Sequence, residues 1–153
     1  MSGFSHLDDQ GAARMVDVSG KDITVRTATA VGRVDLSAEC LSQLASLPKG
    51  DVIATARLAG IMGAKRTPDL IPLCHPIALH SVVVDLAVDS RGIAIEAVAR
   101  TADRTGVEME ALTAVTVAAL TVIDMTKSVD PAAVISGIRV TEKTGGKTGT
   151  WRP

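Results

Sequence analysis

The sequence predicts an α+β domain in which an antiparallel sheet carries helices on one face. Three observations point to it. Residues 14–18, 23–34, 82–88, 93–99 and 133–143 are rich in Val, Ile and Thr or alternate apolar with polar side chains, and read as strands. Helical stretches at 38–47, 51–66 and 107–129 fall between them. The turn Asp89-Ser90-Arg91-Gly92 joins two strands as an antiparallel hairpin.

Each element has a local reason. Ser37 precedes the first helical stretch, which sets Cys40, Leu41 and Leu44 on one face. Pro48 and Gly50 end it, and Asp51 can cap the second helix. Pro68, Pro72 and Pro76 make the next segment a stiffened loop. Val82, Val84, Leu86 and Val88 alternate in one hairpin strand, and Ile93, Ile95, Ala97 and Ala99 in the other. Thr105 and Glu108 have capping-box spacing at the head of the long helix. Gly137 is a candidate bulge in the last strand. The order approaches the βαββαβ pattern of ferredoxin-like domains. The long helix is apolar nearly all round, and one sheet covers only one side of it, which argues for self-association. No repeat or linker divides the chain. We expect one domain over 1–153, with flexible ends at about 1–13 and 144–153.

Composition narrows the function. The chain has 153 residues, 46% hydrophobic and 22% charged, which fits a globular domain rather than a disordered one. Its 16 basic and 17 acidic residues leave a net charge of −1, so bulk attraction to nucleic acid or anionic membrane is excluded. Phe4 and Trp151 are the only aromatics, so the core is aliphatic and base-stacking platforms are lacking. Cys40 and Cys74 are too few for a disulfide scaffold or a four-cysteine zinc site. No signal peptide is visible, and Glu108, Glu110 and Asp124 make the apolar run a buried helix rather than a membrane span. The expected location is cytoplasmic.

Several residues invite chemistry. Glu110, Thr113, Val117, Thr121 and Asp124 fall in a stripe roughly 80° wide on the long helix. Glu110 and Asp124 are about 21 Å apart along its axis, too far for one small site on one chain. Two chains offering opposite ends would unite them; a solvated stripe is the bland alternative. Glu108 serves helix entry or a ligand equally well. Asp124 and Lys127 can pair on the surface, either as an ordinary ion pair or as a catalytic one. A neighbouring carboxylate favours the charged lysine, which suits a phosphate-binding cation or a general acid. Lys49, on a Pro/Gly-bounded turn before a helix, stands where an anion binds or is simply solvated. Arg26 lies mid-strand on a polar face.

Leu73-Cys74-His75-Pro76 is more distinctive, because the prolines aim His75 as a proton donor, a phosphate contact or a structural histidine. Cys74, His75 and His80 match no common zinc spacing, so no metal site is expected. Gly146-Lys147-Thr148 fails as a P-loop, since Thr141 stands where the first glycine belongs and no helix follows. A cationic, Gly-rich strip remains at 143–147, able to close over a phosphate.

Taken in order, several blocks resemble the cyclic pyranopterin monophosphate synthase family of molybdenum cofactor biosynthesis, known as MoaC. They are Met15-Val16-Asp17-Val18, Lys49-Gly50-Asp51-Val52, Ala64-Lys65-Arg66-Thr67 and Asp69-Leu70-Ile71-Pro72-Leu73-Cys74-His75-Pro76. Thr105-Gly106-Val107-Glu108-Met109-Glu110-Ala111-Leu112-Thr113-Ala114, Asp124-Met125 with Lys127, and Gly145-Gly146-Lys147 complete the set. The resemblance implies a ferredoxin-like subunit in a homohexamer, a trimer of dimers, with active sites at subunit interfaces. It implies a small-molecule substrate, the 3′,8-cyclo-7,8-dihydro form of GTP, converted to cyclic pyranopterin monophosphate with release of pyrophosphate. No metal or organic cofactor is implied. Carried over by position, Asp124, Lys49 and Lys127 are catalytic. Leu73, Cys74, His75, Met109 and Glu110 contact substrate, joined by Glu108, Arg26 and Lys147. These residue types suit the reaction, with cations for a triphosphate and proton donors and acceptors for rebuilding a purine ring. A non-catalytic sensor would lack Lys49, Asp124 or Lys127, and a purely structural oligomer leaves the 73–76 and 108–110 blocks unexplained.

Overall fold

A computed structural model describes residues 5–153. The start of the N-terminal segment, Phe4 included, lies outside the described residues. Strand β1 (Thr24–Asp35) is followed by helices α1 (Ala38–Gln43), α2 (Val52–Lys65) and the short α3 (Thr67–Leu70). The hairpin β2 (Ser81–Asp89) and β3 (Gly92–Asp103), helix α4 (Glu108–Thr126) and strand β4 (Val134–Thr144) complete it. The strands form one sheet in the order β2-β3-β1-β4, with every neighbour antiparallel. This is the expected α+β architecture with ferredoxin-like order.

Alternation explains the sheet's two faces. Ala28, Ala30 and Val34 of β1 and Ile93, Ile95 and Ala97 of β3 are buried, while their chain neighbours are more exposed. Helix α4 lies on this buried face with Ala111, Ala114, Val115, Ala118, Ala119 and Val122 inside. By length and composition α4 could span a membrane, but over half of it is buried in this core. The register of β1 with β4 shifts between Val31 and Arg33, at Gly137, whose φ is +66°. The bulge is where the sequence placed it.

A second face of α4 is covered from within the chain. Helix α2 packs along it, antiparallel, with Gly60 against Ala114 and Ala118 and Gly63 against Val117. A Cβ on Gly63 would lie 2.7 Å from Val117 Cγ2, so glycine there sets how closely the helices approach. Helix α2 thus supplies cover expected only from another chain, and the expectation is corrected to that extent. Leu58 and Met62 of α2 and Leu120 of α4 remain exposed beside this pair.

Other local expectations change. Residues 14–18 form no strand: Ser19 N–H donates to Asp17 Oδ1 and Lys21 N–H to the Val18 carbonyl, so the segment turns before it can join the sheet. The stretch after Ser37 stops being α-helical at Gln43 and ends as a 3-10 turn, Leu44–Ser46. The loop of three prolines contains α3, with Pro68 in its first turn, where a missing N–H costs nothing. The capping box at 105–108 does not form. Val107, not Thr105, is the N-cap residue, and a valine side chain has no acceptor to cap with; Glu108 pairs with Lys143, 3.0 Å away. Asp51 does cap α2, accepting from Ala54 N–H at 3.0 Å.

Candidate active site

The fold gathers the predicted residues into two groups, at opposite ends of α4. At its start, Leu73, Cys74, His75, Glu108, Met109 and Glu110 line one cavity of about 290 Å³. The short helix α3 and Pro72 turn the chain so that residues 73–75 face the first turn of α4. His75 Nε2–H donates to the Val16 carbonyl at 2.6 Å, which orients the ring and leaves Nδ1 as its other polar atom. That contact also gives the 15–18 segment its purpose as a wall of the pocket.

Glu110 is only 4% exposed, and no lysine or arginine forms an ion pair with it among the described residues. Burial, reinforced by the nearby Glu108 carboxylate, pushes its carboxyl up to about 7. A carboxyl poised there can give or take a proton near neutrality. Burial also raises the Cys74 thiol, and Glu110 adds to the effect. Cys74 therefore sits in the wall as a neutral thiol rather than attacking as a thiolate.

A second cavity of about 460 Å³ is lined by Lys21, Asp22, Thr24, Arg26, Lys147 and Thr148, three cations against one carboxylate. Lys21 lines both cavities. Arg26 Nε donates to the Asp103 carbonyl at 3.0 Å. Gly145 and Gly146, at φ +92° and +70°, lie so close to Arg26 that a Cβ on either would collide with it or with the adjoining backbone. Thr24 Oγ1 is the one buried side-chain polar atom without a hydrogen-bond partner among the described residues. The result is a mainly cationic chamber beside a pocket with a proton-active carboxyl.

At the other end of α4, Lys49, Asp124 and Lys127 form an exposed triad. Lys49 Nζ donates to Asp124 Oδ2 and Lys127 Nζ to Oδ1, each at 2.7 Å. Hydrogen bonds from Lys127 and then Lys49 hold the Asp124 carboxyl down at about 2. The pairing is symmetrical, so it gives neither lysine a distinct acid or base role. About 21 Å of helix separates this triad from Glu110.

His80 does not join His75. Its Nδ1 accepts from Ala102 N–H at 3.3 Å, and among the described residues no three His, Cys, Asp or Glu side chains cluster as a metal site would require. Sequence reasoning missed Lys21 and Thr24. The signal for Lys21 was present in its Ser-Gly-Lys-Asp turn, but Thr24 looks like any strand residue until its neighbours are known.

Comparison with known proteins identifies the family. The MoaC family model matches residues 15–146. A cyclic pyranopterin monophosphate synthase of Streptomyces avermitilis is 64% identical over 150 residues, covering 97% of this chain and 88% of its own length. One from Nocardioides is 60% identical, covering 97% and 94%, and one from Corynebacterium glutamicum is 57% identical, covering 99% and 98%. With a family match across most of its length and relatives this similar end to end, the chain belongs to the MoaC family.

Proposed function

We infer that this chain is a lyase with cyclic pyranopterin monophosphate synthase activity, acting in molybdenum cofactor biosynthesis. It converts 3′,8-cyclo-7,8-dihydro-GTP to cyclic pyranopterin monophosphate and releases pyrophosphate. The observation that carries the reading to this chain is a pair of cavities that share Lys21, one lined by a protonatable carboxyl and the other mainly by cations. They correspond to the two ends of such a substrate.

Roles follow from chemistry. Leu73 and Met109 offer apolar surface to the base-derived ring, which has no aromatic side chain to stack on. Glu110 faces its amine and ring N–H groups, and its raised carboxyl suits the proton shifts of ring rebuilding. Cys74, His75 and Glu108 complete the wall. Arg26 and Lys147, with Lys21, hold the phosphates. When a hydroxyl of the substrate attacks the α-phosphorus, a P–O bond to pyrophosphate breaks, and these cations stabilise the departing charge. No metal or organic cofactor enters this scheme.

Asp124, Lys49 and Lys127 act at this pocket from a neighbouring subunit. A two-fold pairing that sets the end of one α4 beside the start of its partner's would build two identical sites. The reading includes a homohexamer, a trimer of such dimers, and a cytoplasmic location. The direct test is incubation of purified protein with enzymatically made 3′,8-cyclo-7,8-dihydro-GTP, following pterin and pyrophosphate by mass-resolved chromatography. Product from wild type and none from Lys49→Ala is expected. Tight binding without product would replace the synthase with a binding protein.

A further inference from the structure

We propose that Trp151 is a positioning residue that holds Lys147 in place to receive the substrate's polyphosphate. The proposal rests on the synthase reading and adds to it the tail that follows the stretch covered by the family model, which ends at residue 146. The tail does not leave the end of β4. Lys143 and Trp151 exchange two backbone hydrogen bonds, Lys143 N–H to the Trp151 carbonyl at 3.0 Å and the reverse at 2.8 Å. They close the intervening residues into a loop. Inside it, Gly145 and Gly146 take left-handed conformations and lie on Arg26, and Lys147 lines the cationic chamber with Arg26.

The Trp151 side chain then secures the closure. Its ring centroid lies 5.8 Å from Lys143 Nζ, within range of a cation–π contact. The same ammonium is 3.0 Å from Glu108 Oε1, on the wall of the neighbouring pocket. Ring, ammonium and carboxylate thus form a chain from the tail to the head of α4. Arg152, paired with Glu142, adds a second tie between tail and strand. Trp151 is 41% exposed and outside the core cluster, so core packing does not account for its place. A closed loop presents Lys147 with its ordering cost already met; an open one has to be ordered at each binding event.

Trp151 is the only tryptophan, so its fluorescence reports on this loop alone. Titrating sodium pyrophosphate into wild-type protein should give a saturable change in emission and in acrylamide quenching. Arg26→Ala and Lys147→Ala should each weaken that titration by about tenfold. In turnover, Trp151→Ala should raise KM and the pyrophosphate inhibition constant together, by about tenfold, with kcat kept within about threefold. Trp151→Phe should restore both constants, and Trp151→Ala added to Lys147→Ala should cost nothing more. The proposal is overturned if Trp151→Ala leaves both constants at wild-type values, if its effect multiplies with that of Lys147→Ala, or if kcat alone falls. Hydrogen exchange on wild-type protein judges the clamp without any variant: protection at the Lys143 and Trp151 amides supports it, and free-peptide rates there refute it. Pyrophosphate-dependent fluorescence without turnover would sink the synthase reading and still support the clamp.

Discussion

Replacing Glu110 by Gln removes one buried proton site and little else, so it isolates an electrostatic cost built into the pocket. In the folded chain the Glu110 carboxyl titrates near 7, against an ordinary value of 4.5. Between those two pH values the folded state holds a proton that the unfolded state has released, so stability falls as pH rises. Below about pH 4.5 the carboxyl is protonated in both states, and above about pH 7 the loss is complete. At about 1.4 kcal/mol per pH unit, the gap sets an upper limit of about 3 kcal/mol. The cavity is open to water on one side, and screening there brings the expected loss to roughly 1–2 kcal/mol. Urea unfolding at pH 5 and pH 8, at one fixed protein concentration, measures it. Wild type should lose that much more stability than Glu110→Gln across the interval, since every other titrating group is common to both. Parallel pH dependences would refute the assignment of a raised carboxyl at Glu110.

Asp124→Asn should lower kcat by about two to four decades, the range of a lost acid–base or electrostatic partner. Because the triad is exposed, it should leave the thermal midpoint almost unchanged; a large drop in midpoint would make the triad a structural device. Mixing inactive Lys49→Ala and Glu110→Ala chains, denatured and refolded together, should restore about a quarter of wild-type activity, because half of the random dimers carry one intact site of two. No recovery would place both half-sites on one chain. Gly63→Ala improves helix propensity, yet the Cβ meets Val117 at 2.7 Å, so a net loss of about 1–2 kcal/mol by thermal or urea unfolding is expected. A stabilised variant would show that α2 and α4 separate easily.

Much of this was legible in residue order. Alternation in Ile93–Ala99 and the Asp89–Gly92 turn specified the hairpin, because both are local signals. Asp51 announced its cap for the same reason, and Gly137 its bulge. The failures are equally physical. Thr105 and Glu108 had the right spacing for a box, but the helix starts two residues late, after Val107, and Glu108 pairs with Lys143 from the far end of the chain. The strand expected at 14–18 had suitable residues and no neighbour to pair with. Lys127 could be matched to Asp124 by helical spacing, whereas Lys49 reaches the same carboxylate through tertiary structure alone. Trp151 gave no sign of its return to Lys143, since a Gly-rich tail does not reveal where it turns back.

Alanine fills much of the interior: Ala28 and Ala30, Ala97 and Ala99, and Ala111, Ala114, Ala118 and Ala119 are all buried to within 1% exposure. Most cores lose stability when large side chains are trimmed, but an alanine has almost nothing to trim. The vulnerable direction here is growth. A single added methyl must push a helix off the sheet, and any such push moves Glu110 and Asp124 with it, since both ride on α4. Enlargement at these alanines should therefore be as damaging as truncation at the larger buried residues such as Ile93 and Ile95, and it should disturb the site along with the fold.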